Sequence, residues 1–75
     1  MINDQEIAKQ LLEVLDECSA KINDSIRLVQ NKCTNEEFES YRSAAGYVMG
    51  YIYTDVVAPI HHKHPDLEPP ELKSD

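Results

Sequence analysis

The sequence predicts an all-α fold: an antiparallel two-helix hairpin that dimerises into a four-helix bundle, with an extended, Pro-rich C-terminal tail. Three observations carry this prediction. Apolar residues recur at alternating steps of three and four over two long stretches. A helix-start signal stands at the head of each stretch. Prolines accumulate only from Pro59 onward. The expected layout is a hairpin over residues 1–58, with helices at about 4–31 and 34–58, and a Pro/His-rich tail over 59–75.

The first helix is expected to start at Asn3 as N-cap, with Glu6 three residues on to answer it and Ile2 and Ile7 as a hydrophobic staple. Its seam runs through Ala8, Leu11, Leu15, Cys18, Ile22, Ser25 and Val29. Ile7, Leu12, Val14, Ile26 and Leu28 broaden that seam on its flanks, and no Gly or Pro interrupts residues 5–30. Asn31 is a residue able to take the left-handed conformation that ends a helix.

A second start follows at once. Thr34-Asn35-Glu36-Glu37 fits the S/T-x-x-E capping box, with Cys33 and Phe38 as the staple pair. The core face then reads Phe38, Tyr41, Ala45, Val48, Met49, Ile52 and Val56. Pro59 is expected to stop the helix at Ala58, because the residue before a proline resists the α region. A short turn is still permitted across it, since proline is tolerated near the start of a helical turn. A connection of about three residues makes the two helices antiparallel neighbours. Pairing around that turn sets Val29 near Phe38, Ile22 near Ala45 and Leu15 near Ile52.

Seventy-five residues are few for a self-sufficient core. The second helix also carries little polar surface in its middle. Ser43, Gly46, Gly50 and Thr54 form a strip of small residues away from the seam, with Tyr53 and Val57 beside it and Tyr47 and Tyr51 in a neighbouring sector. Each interior glycine costs on the order of 1 kcal/mol relative to alanine, and close approach of another helix backbone is the benefit that offsets it. The predicted partner or dimer contact is therefore Ser43, Gly46, Tyr47, Gly50, Tyr51, Thr54 and Val57, in a two-fold homodimer.

Charge narrows the partners. Acids number 14 against 7 bases, a net charge of −7, and the excess is spread along the chain. Such a field disfavours nucleic acid and anionic membrane surfaces and permits a basic protein partner. The longest uncharged run, from Ser43 to Thr54, is far short of the ~20 residues a spanning helix needs. The N-terminus lacks a signal-like apolar stretch, and two cysteines expected to be free thiols suit a reducing compartment, so a cytoplasmic location is expected.

No arrangement for catalysis can be picked out, and no enzyme activity or cofactor is expected. Cys18 lies in the seam, where a thiol is inert, while Cys33 sits beside Lys32 at a turn. His61 and His64 stand at i, i+3 and form an alternative metal pair with Asp55 or Asp66 as a third ligand, but a structural zinc site takes four ligands. The simpler role for these imidazoles, with His62, is interaction with a helix C-terminus. The functional expectation is a small acidic protein-binding and oligomerisation module, an inhibitor or regulator of a basic partner. The alternative is a small-ligand or metal-binding module using the Gly46/Gly50 strip with its tyrosines, or His61 and His64.

Overall fold

The computed structural model describes residues 1–69. Helix α1 spans Gln5–Lys32 and α2 spans Asn35–Tyr51. A π-helical segment, Ile52–Val57, continues α2 directly into α3, Ala58–Lys63, and a single 3-10 turn follows at Pro65–Leu67. The described residues contain helices and no strand. The chain is an all-α helical hairpin whose second arm is one rod with a change of pitch inside it.

The first helix starts one residue later than the sequence suggests. Asp4, not Asn3, is the N-cap, and its carboxylate accepts from the Ile7 N–H at 3.1 Å. Both residues cap well, so the choice is settled by the turn that packs. Glu6 keeps a place in the first turn, where the helix dipole favours an acid. Ile7 is exposed and Ile2 half-buried.

Helix α1 ends without a left-handed residue. Asn31 remains helical, and Cys33 closes the helix in extended conformation, its N–H donating to the Val29 carbonyl at 2.9 Å. At Thr34 the capping box forms in full. The Glu37 N–H donates to the Thr34 hydroxyl oxygen at 3.2 Å, and the Thr34 N–H donates to the Glu37 carboxylate at 2.9 Å. Cys33, just ahead of it, is exposed.

The seam of α1 is buried or half-buried at Ala8, Leu11, Leu15, Ile22, Ser25 and Val29; Cys18 alone is exposed. On the second arm Phe38, Ala45, Met49, Ile52 and Val56 are covered, whereas Val48 is half exposed and Tyr41 lies at the edge. Tyr41 is expected in the core, yet its ring rises to the rim because its hydroxyl meets the Ser25 hydroxyl at 2.6 Å. The single Ser25 proton already goes to the Ile22 carbonyl, also at 2.6 Å, so Tyr41 is the donor.

The anticipated end at Ala58 is passed. Ala58 has helical angles, φ −62° and ψ −44°, although a proline follows. The cause lies in the preceding turn. Proline offers no N–H and its ring crowds the carbonyl four residues back, here that of Asp55. The π segment widens the helix at that point, and the Ala58 N–H reaches back five residues to the Tyr53 carbonyl. With the ladder relaxed, Pro59 sits in the first turn of α3, where a missing N–H costs nothing. Residues 59–67 are therefore not the expected extended tail. Extended backbone appears at Glu68, φ −73° and ψ 129°. Residues 70–75 of the expected tail lie outside the described residues.

This arm returns to the start of α1. Ile60 is fully buried, the largest side chain that is, and His61 and His64 are buried as well. The His64 Nε2 lies 2.6 Å from the Ile2 carbonyl oxygen. Among the described residues, Ala8 and Ala45 join Ile60 as the buried apolar set. The molecule is accordingly long and thin. Its extents are 44 × 25 × 19 Å and its radius of gyration is 14.9 Å, against about 11 Å for a compact domain of this length.

Candidate functional site

The predicted contact strip is one continuous surface. Ser43, Gly46, Tyr47, Gly50, Tyr51 and Thr54 line a single shallow groove of about 480 Å³ along α2. Spacings of three and four place them on one side of the helix. Tyr47 and Tyr51 stand up from it, 74% and 63% exposed. A Cβ built on Gly46 or Gly50 meets nothing within 4 Å. The hairpin itself makes no use of either glycine's smallness. Val57 is half-buried and lies apart from this groove, in the lining of another cleft.

Thr54 closes the strip at its C-terminal end. Its hydroxyl donates to the Gly50 carbonyl at 3.0 Å and also lies 3.1 Å from the Asp55 carboxylate. Back-bonding of this kind accompanies bent or irregular helix, and here it lies within the π segment. The strip and the pitch change are thus coupled through one side chain.

The second concavity was not foreseen. A cleft of about 520 Å³ opens between α1, the π segment and the returning arm. Leu12, Leu15, Met49, Ile52, Val57 and Leu67 give it an apolar interior. Lys9, Glu13, Asp16, His61 and Asp66 stand among its lining residues. Nothing in local periodicity signals it, because it exists only when residues 60–69 fold back beside α1.

The histidines are divided by the fold. His61 and His64 face inward and His62 is exposed. Since a carbonyl only accepts, the Ile2 contact requires a proton on Nε2 of His64. Among the described residues no group of three or more His, Cys, Asp or Glu comes together that could hold a metal ion. Asp55 is exposed on the π segment, and Asp66 belongs to the cleft. Cys18 and Cys33 are both free and exposed.

The Thr34 backbone N–H and then its hydroxyl hold the Glu37 carboxyl below its ordinary value of 4.5. Surface ion pairs join Asp24 to Arg27 and Glu39 to Arg42, and the Arg42 guanidinium lies 5.9 Å from the Phe38 ring centroid. These side chains line none of the clefts described above.

No helix among the described residues is long and apolar enough to cross a membrane. Compared with protein-family models, curated proteins and solved structures, the chain matches none.

Proposed function

We propose that this chain is a small acidic, non-enzymatic protein-binding module that works as a homodimer through its second helix and regulates or inhibits a basic protein partner. The observation that carries the reading is the glycine strip. Two interior glycines and two exposed tyrosines line one groove that the hairpin leaves uncovered. Tyrosine supplies apolar area with a polar tip and is enriched where proteins meet.

Surface area agrees in magnitude. The chain exposes 5736 Å², against about 4,700 Å² for a compact monomer of its mass. The excess, on the order of 1,000 Å², resembles the area each partner buries in a standard interface. Two hairpins placed α2 to α2 would cover the strips of both and give each chain the opposing layer it lacks. The free, exposed cysteines fit a protein working in a reducing, cytoplasmic setting.

Sedimentation equilibrium at low micromolar concentration tests the assembly. The expected mass is twice 8.6 kDa, and Gly50→Leu should shift it toward the monomer by placing an isobutyl group in the contact. A monomeric native chain, or an unchanged mass for Gly50→Leu, sinks the homodimer. The competing reading takes the same groove, or His61 and His64, as a small-ligand or metal site. It predicts a rise in thermal stability on adding zinc, lost in the His61→Ala, His64→Ala double variant.

A further inference from the structure

We propose that the cleft between α1, the π segment and the returning arm seats a basic amphipathic helix of a protein partner. The proposal rests on the reading of the chain as a protein-binding module, but not on its dimerisation. The cleft and the α2 strip share no lining residue.

The charge pattern selects the occupant. Glu13, Asp16 and Asp66 stand against one lysine, Lys9, in the lining of an apolar cleft. The acidic edge continues along the outer surface of α1, where Glu13, Asp16 and Glu17 surround a shallow depression at Ala20. Among the described residues the ion pairs are Asp24–Arg27 and Glu39–Arg42, both elsewhere, so Glu13, Asp16 and Asp66 form no ion pair there. An apolar trough with an unpaired acidic edge is complementary to a helix whose leucine-like face is flanked by Lys or Arg. An acidic helix or a phosphate-bearing ligand meets repulsion at the same edge.

The construction of the cleft also fits a macromolecular ligand. Its walls come from three separate segments, with Leu12 and Leu15 on one side, Ile52 and Val57 on another, and Leu67 on the arm. Helix-in-groove recognition uses this layout, an apolar floor for anchor side chains and a polar margin for orientation. Burial of Ile60 and the His64–Ile2 contact fix the arm that completes it.

The test titrates the full chain into a fluorescein-labelled synthetic helix of Leu and Lys, about four turns long with its leucines on one face. Binding is read by anisotropy at low salt. A scrambled peptide of the same composition and a Leu/Glu version serve as controls. Only the amphipathic Leu/Lys peptide should bind. The combined variant Glu13→Gln, Asp16→Asn, Asp66→Asn should weaken binding about tenfold through the loss of three exposed charges. A control with Asp24→Asn, Glu36→Gln and Glu39→Gln removes as much charge at the turn end and should stay within about twofold of the native chain. Ser19 also lines the cleft, so Ser19→Trp, checked for helicity by circular dichroism, should fill it and abolish binding; the charge variants decide the matter should it not fold.

Equal binding of the scrambled peptide, or equal weakening by both charge variants, overturns the proposal. So does a full chain that binds only after residues 70–75 are removed, which assigns the cleft to the chain's own end. Sedimentation of the same samples separates the two ideas. A monomer that binds the peptide sinks the homodimer and leaves this seat standing, whereas a dimer that ignores the peptide does the reverse.

Discussion

His64 Nε2 lies 2.6 Å from the Ile2 carbonyl oxygen, so the residue that caps α3 is bonded to the segment ahead of the first helix. The contact spans 62 positions of sequence and ties the open end of the hairpin, where the helices have no connecting turn. Removing it should be felt across the molecule. We expect His64→Ala to cost about 1–3 kcal/mol, since it leaves a part-buried carbonyl unpaired. At roughly 4–8 °C per kcal/mol for a domain of this size, thermal unfolding followed by circular dichroism resolves that loss. A midpoint unchanged within about 2 °C would show the contact to be incidental.

At the opposite end, the Ser25–Tyr41 contact should be worth much less. Tyr41 is 38% exposed, and water can replace its partner. Tyr41→Phe is expected to cost about 0.5 kcal/mol, the low end for a single hydrogen bond. A loss above about 2 kcal/mol in urea unfolding would mean that the rim of the hairpin is drier than its exposure indicates.

The capping box gives a pH dependence with a defined sign. The folded Glu37 carboxyl titrates below its ordinary 4.5 because Thr34 donates to it twice. A group depressed in this way stabilises the fold above its unfolded value and loses that contribution as pH falls through its folded value. The native chain should therefore lose its advantage over Glu37→Gln as the pH drops below about 4.5. Thr34→Ala should return the carboxyl toward 4.5 in an NMR titration and cost about 1 kcal/mol as a lost cap. A Glu37 titration unmoved by Thr34→Ala counts against this account.

The two glycines should behave in opposite ways at high and low protein concentration. Nothing lies within 4 Å of a Cβ at Gly46 or Gly50, so alanine fits the single chain. In the dilute monomer Gly46→Ala, Gly50→Ala should stabilise by roughly 1 kcal/mol per site through helix propensity. At dimer-forming concentrations the same substitution should weaken association. A double variant more stable at every concentration would show the strip to be free surface.

Much of the architecture was legible because its signals are local. Thr34 and Glu37 satisfy each other within one turn, and that start was read without error. The seam from Ala8 to Val29 needs only periodicity, and the small-residue strip emerged from the same arithmetic. Close to the turn, the pairing of the arms is legible to within one residue. Val29 opposite Phe38 implies Ser25 opposite Arg42, and the observed partner is Tyr41.

Other features depend on interactions that no local pattern contains. Asn3 and Asp4 are equivalent caps until the turn is packed. Pro59 is a stop signal in a regular α-helix, and it ceased to be one because the preceding turn opened into π geometry. His61 and His64 resemble an exposed helix-end cluster until Ile60 is driven into the interior and takes them with it. The cleft along α1 depends on that same return, which is why periodicity pointed to the α2 strip and missed the cleft.

The pitch change at Ile52–Val57 gives the chain a local tolerance to length. A π turn holds one residue more than an α turn closing the same gap, so the segment behaves like an insertion absorbed without breaking the rod. Losing one residue there, Thr54 for example, would let the turn close as ordinary α-helix and leave Ile60 and both inward imidazoles in phase, the cost falling on Pro59, whose ring would again crowd a carbonyl. The same loss from the regular turns of α2, at Ala44 for example, would swing every later side chain by about 100° around the axis. One deleted codon is thus absorbed in the widened turn and undoes the clasp at the amino end when it falls a few residues earlier.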